Sequence, residues 1–178
     1  WDAASTFITT QLRKAMTGAE DYDFLRGDGI NKALGIINAP CGITVARSAA
    51  NTIAWADIVG MFARVKQGGN LVWIASPTTI PQLVTIVDAG NHSRGMGGVG
   101  GSLNGAQGPM PSTLMGIPVV CSERNPALGT SGDIVLADLS YYLVKDGSGP
   151  FAALSTELLF LSNRTVFRLV WNVDARPW

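Results

Sequence analysis

Between Ser112 and Gly147 the sequence alternates short apolar runs with turn residues, and no other stretch limits the fold as strongly. Thr113-Leu114-Met115 runs into Gly116-Ile117-Pro118, and Val119-Val120-Cys121 leaves it again. A Gly/Pro corner between two β-rich runs predicts paired strands. After Pro126, Gly129 and Gly132 comes Ile134-Val135-Leu136, a buried-strand pattern. Asp138-Leu139-Ser140 interrupts it, Tyr141-Tyr142-Leu143-Val144 resumes in extended form, and Asp146-Gly147 turns the chain. Four short β pieces in succession predict a sheet core, and none of them carries a reaction centre.

The rest of the chain supplies helices and further strands. From Trp1 to Leu25, Phe7, Ile8, Leu12, Ala15, Met16 and Ala19 recur at three- and four-residue steps. Thr10, Arg13, Lys14 and Thr17 occupy the other face, so a helix is predicted. Gly18 interrupts it at a cost of about 1 kcal/mol relative to Ala. Arg26-Gly27-Asp28-Gly29 ends it in a turn, and Leu34-Gly35-Ile36-Ile37 reads as a short extended piece before Pro40-Cys41-Gly42. Arg47 to Thr52 reads as polar linker, with Thr52 as N-cap of a helix over 53–65 whose apolar face is Trp55, Ile58, Val59, Phe62 and Val65. Leu71-Val72-Trp73-Ile74-Ala75 is a buried strand, and Ser76-Pro77-Thr78-Thr79 caps a helix reaching toward Gly90. Such an alternation of helix and strand excludes an all-β chain. Near the end, 151–161 is a strand candidate and Asn163-Arg164 a turn. Thr165 to Val173 is the longest β signal, with Phe167, Leu169, Trp171 and Val173 forming an apolar row that should be buried.

With 178 residues, the chain can build one core or two lobes sharing one. Apolar residues make up 47% and charged residues 15%, with 13 Lys+Arg against 13 Asp+Glu. That balance provides no global basic field for nucleic acid. It suits a protein whose surface is covered by partners, and equally a compact neutral monomer. No apolar run approaches the ~20 residues of a membrane span. Cys41 and Cys121 are far apart and lack zinc or CxxC spacing, so buried free thiols are expected, with a disulfide as the alternative. The chain opens on Trp1, which points to an N-terminus made by processing or cutting.

Motifs for chemistry are sparse. Gly95-Met96-Gly97-Gly98-Val99-Gly100 satisfies G-x-G-x-x-G. A dinucleotide site needs that motif to leave a strand and open a helix, whereas here it follows a helix, and Gly101, Gly105, Gly108, Pro109 and Pro111 oppose a new one. It also lacks the Lys-Ser/Thr of a P-loop. Residues 93–108 are better read as a mobile loop that orders against copies of itself around a symmetry axis. His92 is the only histidine and no G-x-S-x-G occurs, so no nucleophile has an evident base. Glu20, Asp21, Asp23 and Asp28 read as a solvated face or a salt-bridge surface for a neighbour, with a metal site as the competing reading. Arg168 reads as a structural ion pair or snorkelling side chain, with a functional cation as the alternative. No catalytic, cofactor-binding or metal residue is assigned, no cofactor is expected, and the chain does not read as an enzyme.

In order along the chain, five segments resemble the tailed-bacteriophage major capsid protein family, the Hong Kong ninety-seven fold. They are Phe24-Leu25-Arg26-Gly27-Asp28-Gly29 running to Leu34-Gly35-Ile36; Leu71 to Pro77 with Leu83 and Asp88-Ala89-Gly90-Asn91; Thr113 to Val120 with its Gly-x-Pro-Val corner; Ile134 to Asp146 holding Asp138-Leu139-Ser140-Tyr141-Tyr142; and Asn163 to Pro177. Ala137 stands where Gly is common, and Trp171 where an Arg is common, which puts an inter-subunit salt bridge in doubt. The resemblance implies an α+β, two-lobed capsid-like fold with a long spine helix. Residues 1–46 with 140–178 would form a peripheral lobe carrying that helix and a β-sheet, and 47–139 an axial sheet-and-helix lobe. The implied function is a major capsid protein of a tailed phage or prophage, assembling as hexamers and pentamers of an icosahedral head around double-stranded DNA. The implied partners are copies of itself, DNA held without sequence specificity, and the phage's scaffold, protease and portal, with no membrane. Its place would be the virion, after assembly in the bacterial cytoplasm. An encapsulin-type compartment shell shares the fold, and a small α/β nucleotide-binding enzyme is the alternative of another class. The N-terminal arm and extended loop of the family are expected to be missing, so no crosslinking Lys or Asn is assigned and closed shells are not expected from this chain alone.

Overall fold

The computed structural model describes residues 2–87, 90, 113–147, 149–162 and 164–178. Its longest element is α1 (Asp2–Arg26). Threonines are poor helix formers because their hydroxyls compete for backbone partners. Here Thr9, Thr10 and Thr17 donate back to the carbonyls of Ser5, Thr6 and Arg13, at 2.8, 2.8 and 3.1 Å. The helix end is closed by the chain that follows it. Ile36 N–H donates to Phe24 O (2.9 Å), Ile37 N–H to Leu25 O (3.0 Å) and Gly35 N–H to Gly27 O (3.0 Å). The Asn38 side-chain amide donates to Arg26 O at 2.8 Å. Carbonyls that a helix C-terminus leaves unpaired are thereby satisfied by a single returning segment. The approach is so close that side chains are excluded. A Cβ at Gly35 would lie 2.6 Å from the nitrogens of Arg26 and Gly27, and one at Gly27 would lie 2.0 Å from Ala33 O.

Three strands of the Ser112–Gly147 stretch build a four-stranded sheet, but its centre comes from elsewhere. β1 (Leu71–Ala75) lies between β3 (Ile117–Cys121), which runs parallel to it, and β4 (Ile134–Asp138), which runs antiparallel. β2 (Thr113–Leu114) flanks β3. The β2–β3 link is a two-residue turn with Met115 at φ 55° and Gly116 at φ 79°. Positive φ at both central residues makes the type I′ hairpin turn that matches strand twist. α2 (Trp55–Phe62) and α3 (Ile80–Thr85) close the core. Ile53, Ile58, Trp73, Leu83, Ile86 and Leu114 form its buried cluster. The buried Trp73 indole N–H donates to Leu114 O at 3.1 Å, so the largest core side chain carries no orphaned polar group.

The remaining strands make two separate pairs. β5 (Tyr142–Asp146) pairs antiparallel with β8 (Val173–Pro177), and β6 (Phe151–Leu159) with β7 (Arg164–Val170). β8 seats against the end of α1. Leu34 N–H donates to Ala175 O at 2.8 Å, the Tyr142 hydroxyl donates to Leu34 O at 2.9 Å, and Phe24 meets Tyr142 edge-on with ring centres 6.0 Å apart. Leu25, Ala33 and Ala175 are buried there.

Several expectations are corrected. The fourth β piece, Tyr141–Val144, leaves the core sheet because its partner is the distant β8. Leu34–Ile37 is not a strand: only Leu34 makes a bridge, to Asp28, since the backbone groups of 35–37 are spent on the helix end. Thr52 is not the N-cap of α2. Ala54 occupies that position and Asp57 supplies the capping oxygen, while the Thr52 hydroxyl donates to Ala50 O. Both helices are shorter than expected, α2 ending at Phe62 and α3 at Thr85. The Thr165–Val173 run breaks at Trp171–Asn172, and Val173 begins a strand of the other pair.

Candidate assembly surface

Exposed apolar surface concentrates on α1 and the β6–β7 hairpin. Phe7 (64%), Phe151 (62%), Leu154 (56%), Leu158 (73%) and Leu161 (102%) all project into solvent. Ile8 and Leu12 of α1 face Ala152, Leu154, Phe167 and Leu169 of the hairpin across a groove of about 580 Å³. Part of the apolar stripe of α1 and part of the apolar row of β7 therefore face each other without closing, so the row expected to be buried is only half-buried. Exposed large apolar side chains grouped on neighbouring elements are the kind of surface that an interaction partner covers. The strand pairing adds to this. Among the described residues β6 and β7 join no other sheet, and a two-stranded hairpin is marginal in water without something to pack on.

Rigid anchors hold the rest of the chain. Arg47, expected in a linker, instead grips the buried carboxylate of Asp133. The N–H groups of Gly129 (2.9 Å) and Ile134 (2.8 Å) complete the carboxylate's partners. Asp57 accepts from Ser48 N–H (3.1 Å), Ser48 O–H (2.6 Å) and Ala54 N–H (3.0 Å). Burial pushes the Asp57 carboxyl up, and these donors outweigh it and hold the group below the usual carboxylate range. Beside this region a cleft of about 820 Å³ runs between the 36–47 segment and the free edge of β4. At its rim Lys66 donates to the Tyr141 hydroxyl at 2.7 Å, and that contact holds the ammonium above its usual range. Trp178 stacks at a tilt on Tyr141, with ring centres 6.1 Å apart.

A model of the phage capsid family matches residues 2–178. The chain belongs to the phage capsid family. It is a structural protein and not an enzyme. In fold this capsid-family chain is similar to the capsid of a native GTA particle, with a TM-score of 0.79 at 18% identity. That likeness covers 97% of this chain and 61% of that one. The capsid of an empty GTA particle gives 0.76 at 17% identity over 96% and 61%. The capsid-family chain thus spans about three fifths of the length of those proteins (61%) and shares their α+β fold. No curated protein matches it in sequence.

Within this phage capsid chain the residues singled out from sequence fall in different places. His92, the Gly95–Gly100 motif and the expectation for residues 93–108 lie outside the described residues. Asp28 accepts from Ile30 N–H at 3.0 Å and pairs with Lys32 at 3.6 Å. The Ile30 bond is the main reason its carboxyl stays low. Glu20 is pushed up, by burial first and then by Asp21 and by Asp146 across from it. Among the described residues no group of three or more His, Cys, Asp or Glu is placed to hold a metal ion. Cys41 and Cys121 are exposed free thiols, not buried ones: Cys121 ends an exposed face of β3, and Cys41 sits in the turn after Pro40. Trp171, standing where the family commonly has Arg, donates its indole N–H to Asp146 at 3.0 Å inside the chain. The Arg47–Asp133 pair was missed because two charged residues that far apart carry no local signal of their contact.

Proposed function

We propose that this chain is the shell-forming part of the major capsid protein of a tailed phage or prophage. The observation that carries the reading is the family match over 2–178. Copies assemble as hexamers and pentamers of an icosahedral head enclosing double-stranded DNA. The 47–139 lobe surrounds the capsomer axis. Residues 1–46 with 140–178 form the peripheral lobe, which packs neighbours together through the exposed apolar surface of α1 and the hairpin. DNA is enclosed, not read: with 13 basic and 13 acidic residues the chain offers no net attraction that would arrest a duplex during packaging. Scaffold, protease and portal are further partners, assembly takes place in the bacterial cytoplasm, and the mature location is the virion. Closed symmetry multiplies individually weak contacts, which suits a chain of low surface charge. Electron microscopy of the full-length protein, expressed alone and with its neighbouring genes, tests this. Icosahedral shells are expected. DNA-free shells filled with a specific enzyme would replace the phage reading with a compartment shell, and a soluble monomer turning over a nucleotide would overturn it.

A further inference from the structure

The groove between α1 and the hairpin is walled mainly by apolar side chains, with Arg168 among them. Close-packed domains contain few voids larger than a water molecule, so about 580 Å³ between Leu12 and Phe167 is a seat and not a packing defect. The same chain presents an apolar projection with no pocket of its own. Around the last hairpin pair, Leu159 with Arg164, the tip carries Leu161 fully exposed just beyond it and Leu158, at 73%, just before it. The inner half of the hairpin forms a wall of the groove, so the tip cannot enter its own groove while the β6–β7 register stands. Charge follows the same division. Glu157 is exposed beside the tip and Arg168 is exposed on the groove wall, and among the described residues neither has an ion-pair partner.

We propose that the occupant of this groove is the Leu158–Leu161 tip of a second copy of the chain, with Glu157 of one copy opposite Arg168 of the next. This rests on the shell-subunit reading and specifies one of its contacts. Knob and seat lie on different parts of the surface, so the contact is head-to-tail. Such contacts generate rings when the rotation closes and open chains when it does not. Burying Leu158 and Leu161 supplies the apolar core, and the Glu157–Arg168 pair sets register and excludes a tip-to-tip arrangement by placing like charges together.

The test uses the 178-residue chain in sedimentation velocity over a range of concentrations, with circular dichroism to check folding. Wild type is expected to associate reversibly. The double change Leu158→Ser with Leu161→Ser, and separately Glu157→Arg, should each weaken association tenfold or more. Combining Glu157→Arg with Arg168→Glu should restore it, which a misfolded variant could not do. In a Cys41→Ser, Cys121→Ser background, Leu161→Cys together with Leu12→Cys should give a ladder of disulfide-linked oligomers on mild oxidation, and Leu161→Cys alone should give none. Association untouched by the tip changes, no rescue by the charge swap, or dimers from Leu161→Cys alone would each overturn this contact and leave the shell reading in place. A wild-type chain monomeric at every concentration would likewise overturn this contact, while the shell reading is decided by microscopy of the full-length protein.

Discussion

Arg47 and Asp133 stand 86 positions apart and meet in an ion pair in which one guanidinium nitrogen, Nη2, donates to both carboxylate oxygens, with the Asp133 side chain almost wholly removed from water. Through it the segment leading into α2 is clamped to the residue just before β4. The carboxylate also organises its own loop, accepting from Gly129 and Ile134, while Asp133 O accepts from Ser76 N–H at 2.8 Å at the end of β1. One residue, through its side chain and its main-chain carbonyl, thus ties three chain segments together at the corner of the core sheet.

Removing Arg47 should therefore be costly. Breaking a buried pair strands the remaining charge, at about 3–5 kcal/mol. Asp133 keeps two backbone donors, so Arg47→Met is expected at the lower end, about 3 kcal/mol. Urea unfolding should show the midpoint falling with little change in slope. A loss below about 1 kcal/mol would mean that the pair does not hold this corner.

Two glycines of α1 and its turn should respond oppositely to alanine. At Gly18 a Cβ meets only the end of the Arg124 side chain, 2.7 Å from Nη2, which can swing aside. Gly18→Ala then keeps part of the gain of about 1 kcal/mol in helix propensity, and thermal unfolding should shift upward or stay level. At Gly35 the Cβ would lie 2.6 Å from three backbone atoms of the Leu25–Gly27 stretch, which cannot swing aside. Gly35→Ala should cost at least about 2 kcal/mol, at the upper part of the range for overpacking. If both variants unfold at the same temperature, the close return of 35–37 over the helix end is wrong.

Asp57 should make stability sensitive to acid. Its folded carboxyl is held below the unfolded value of 3.8, so the contribution is present above that pH and is lost as pH falls through the folded value. At neutral pH Asp57→Ala should cost about 1 kcal/mol, as loss of a helix cap does. The difference between variant and wild type should narrow in acid. A difference that stays constant from neutral pH down to acid would remove the carboxylate from this role.

Tyr142 should act at the other end of the scale. Burial, then Asp174 and Asp23, push its phenol up to about 12 from 10.0. Unfolded chains release that proton first, so stability is intact below about pH 10 and falls as pH rises from there toward 12. Ultraviolet titration should find one of the three tyrosines ionising late. In Tyr142→Phe the late step should vanish and the alkaline loss of stability should flatten, although the bond to Leu34 O is lost at every pH. A titration with three tyrosines ionising together near pH 10 would contradict this environment.

The local elements were legible where a pattern repeats within a few residues. The four-residue spacing of Ile8, Leu12 and Met16 is enough for α1, and the apolar block Leu71–Ala75 is enough for the strand that became the sheet centre. The order of the short motifs carried the family, because a fold of this kind needs its turns in one sequence even when each turn is unremarkable alone. What the tertiary structure decided was partnership. Tyr142–Val144 has the same β character as Ile134–Leu136, yet one pairs with β8 and the other with β1, and pairing is a long-range choice that short-range periodicity does not encode. Likewise Asp57 took the capping role from Thr52, and Arg47 became an anchor, because hydrogen-bond geometry in three dimensions selects among polar residues that look equivalent in a line. Most of all, periodicity shows that α1 and β7 own apolar faces, but not what covers them. In this chain they oppose each other across an open groove, because the backbone anchors at Leu25, Leu34 and Ala175 fix the far end of α1 and leave its first half unclosed on the hairpin.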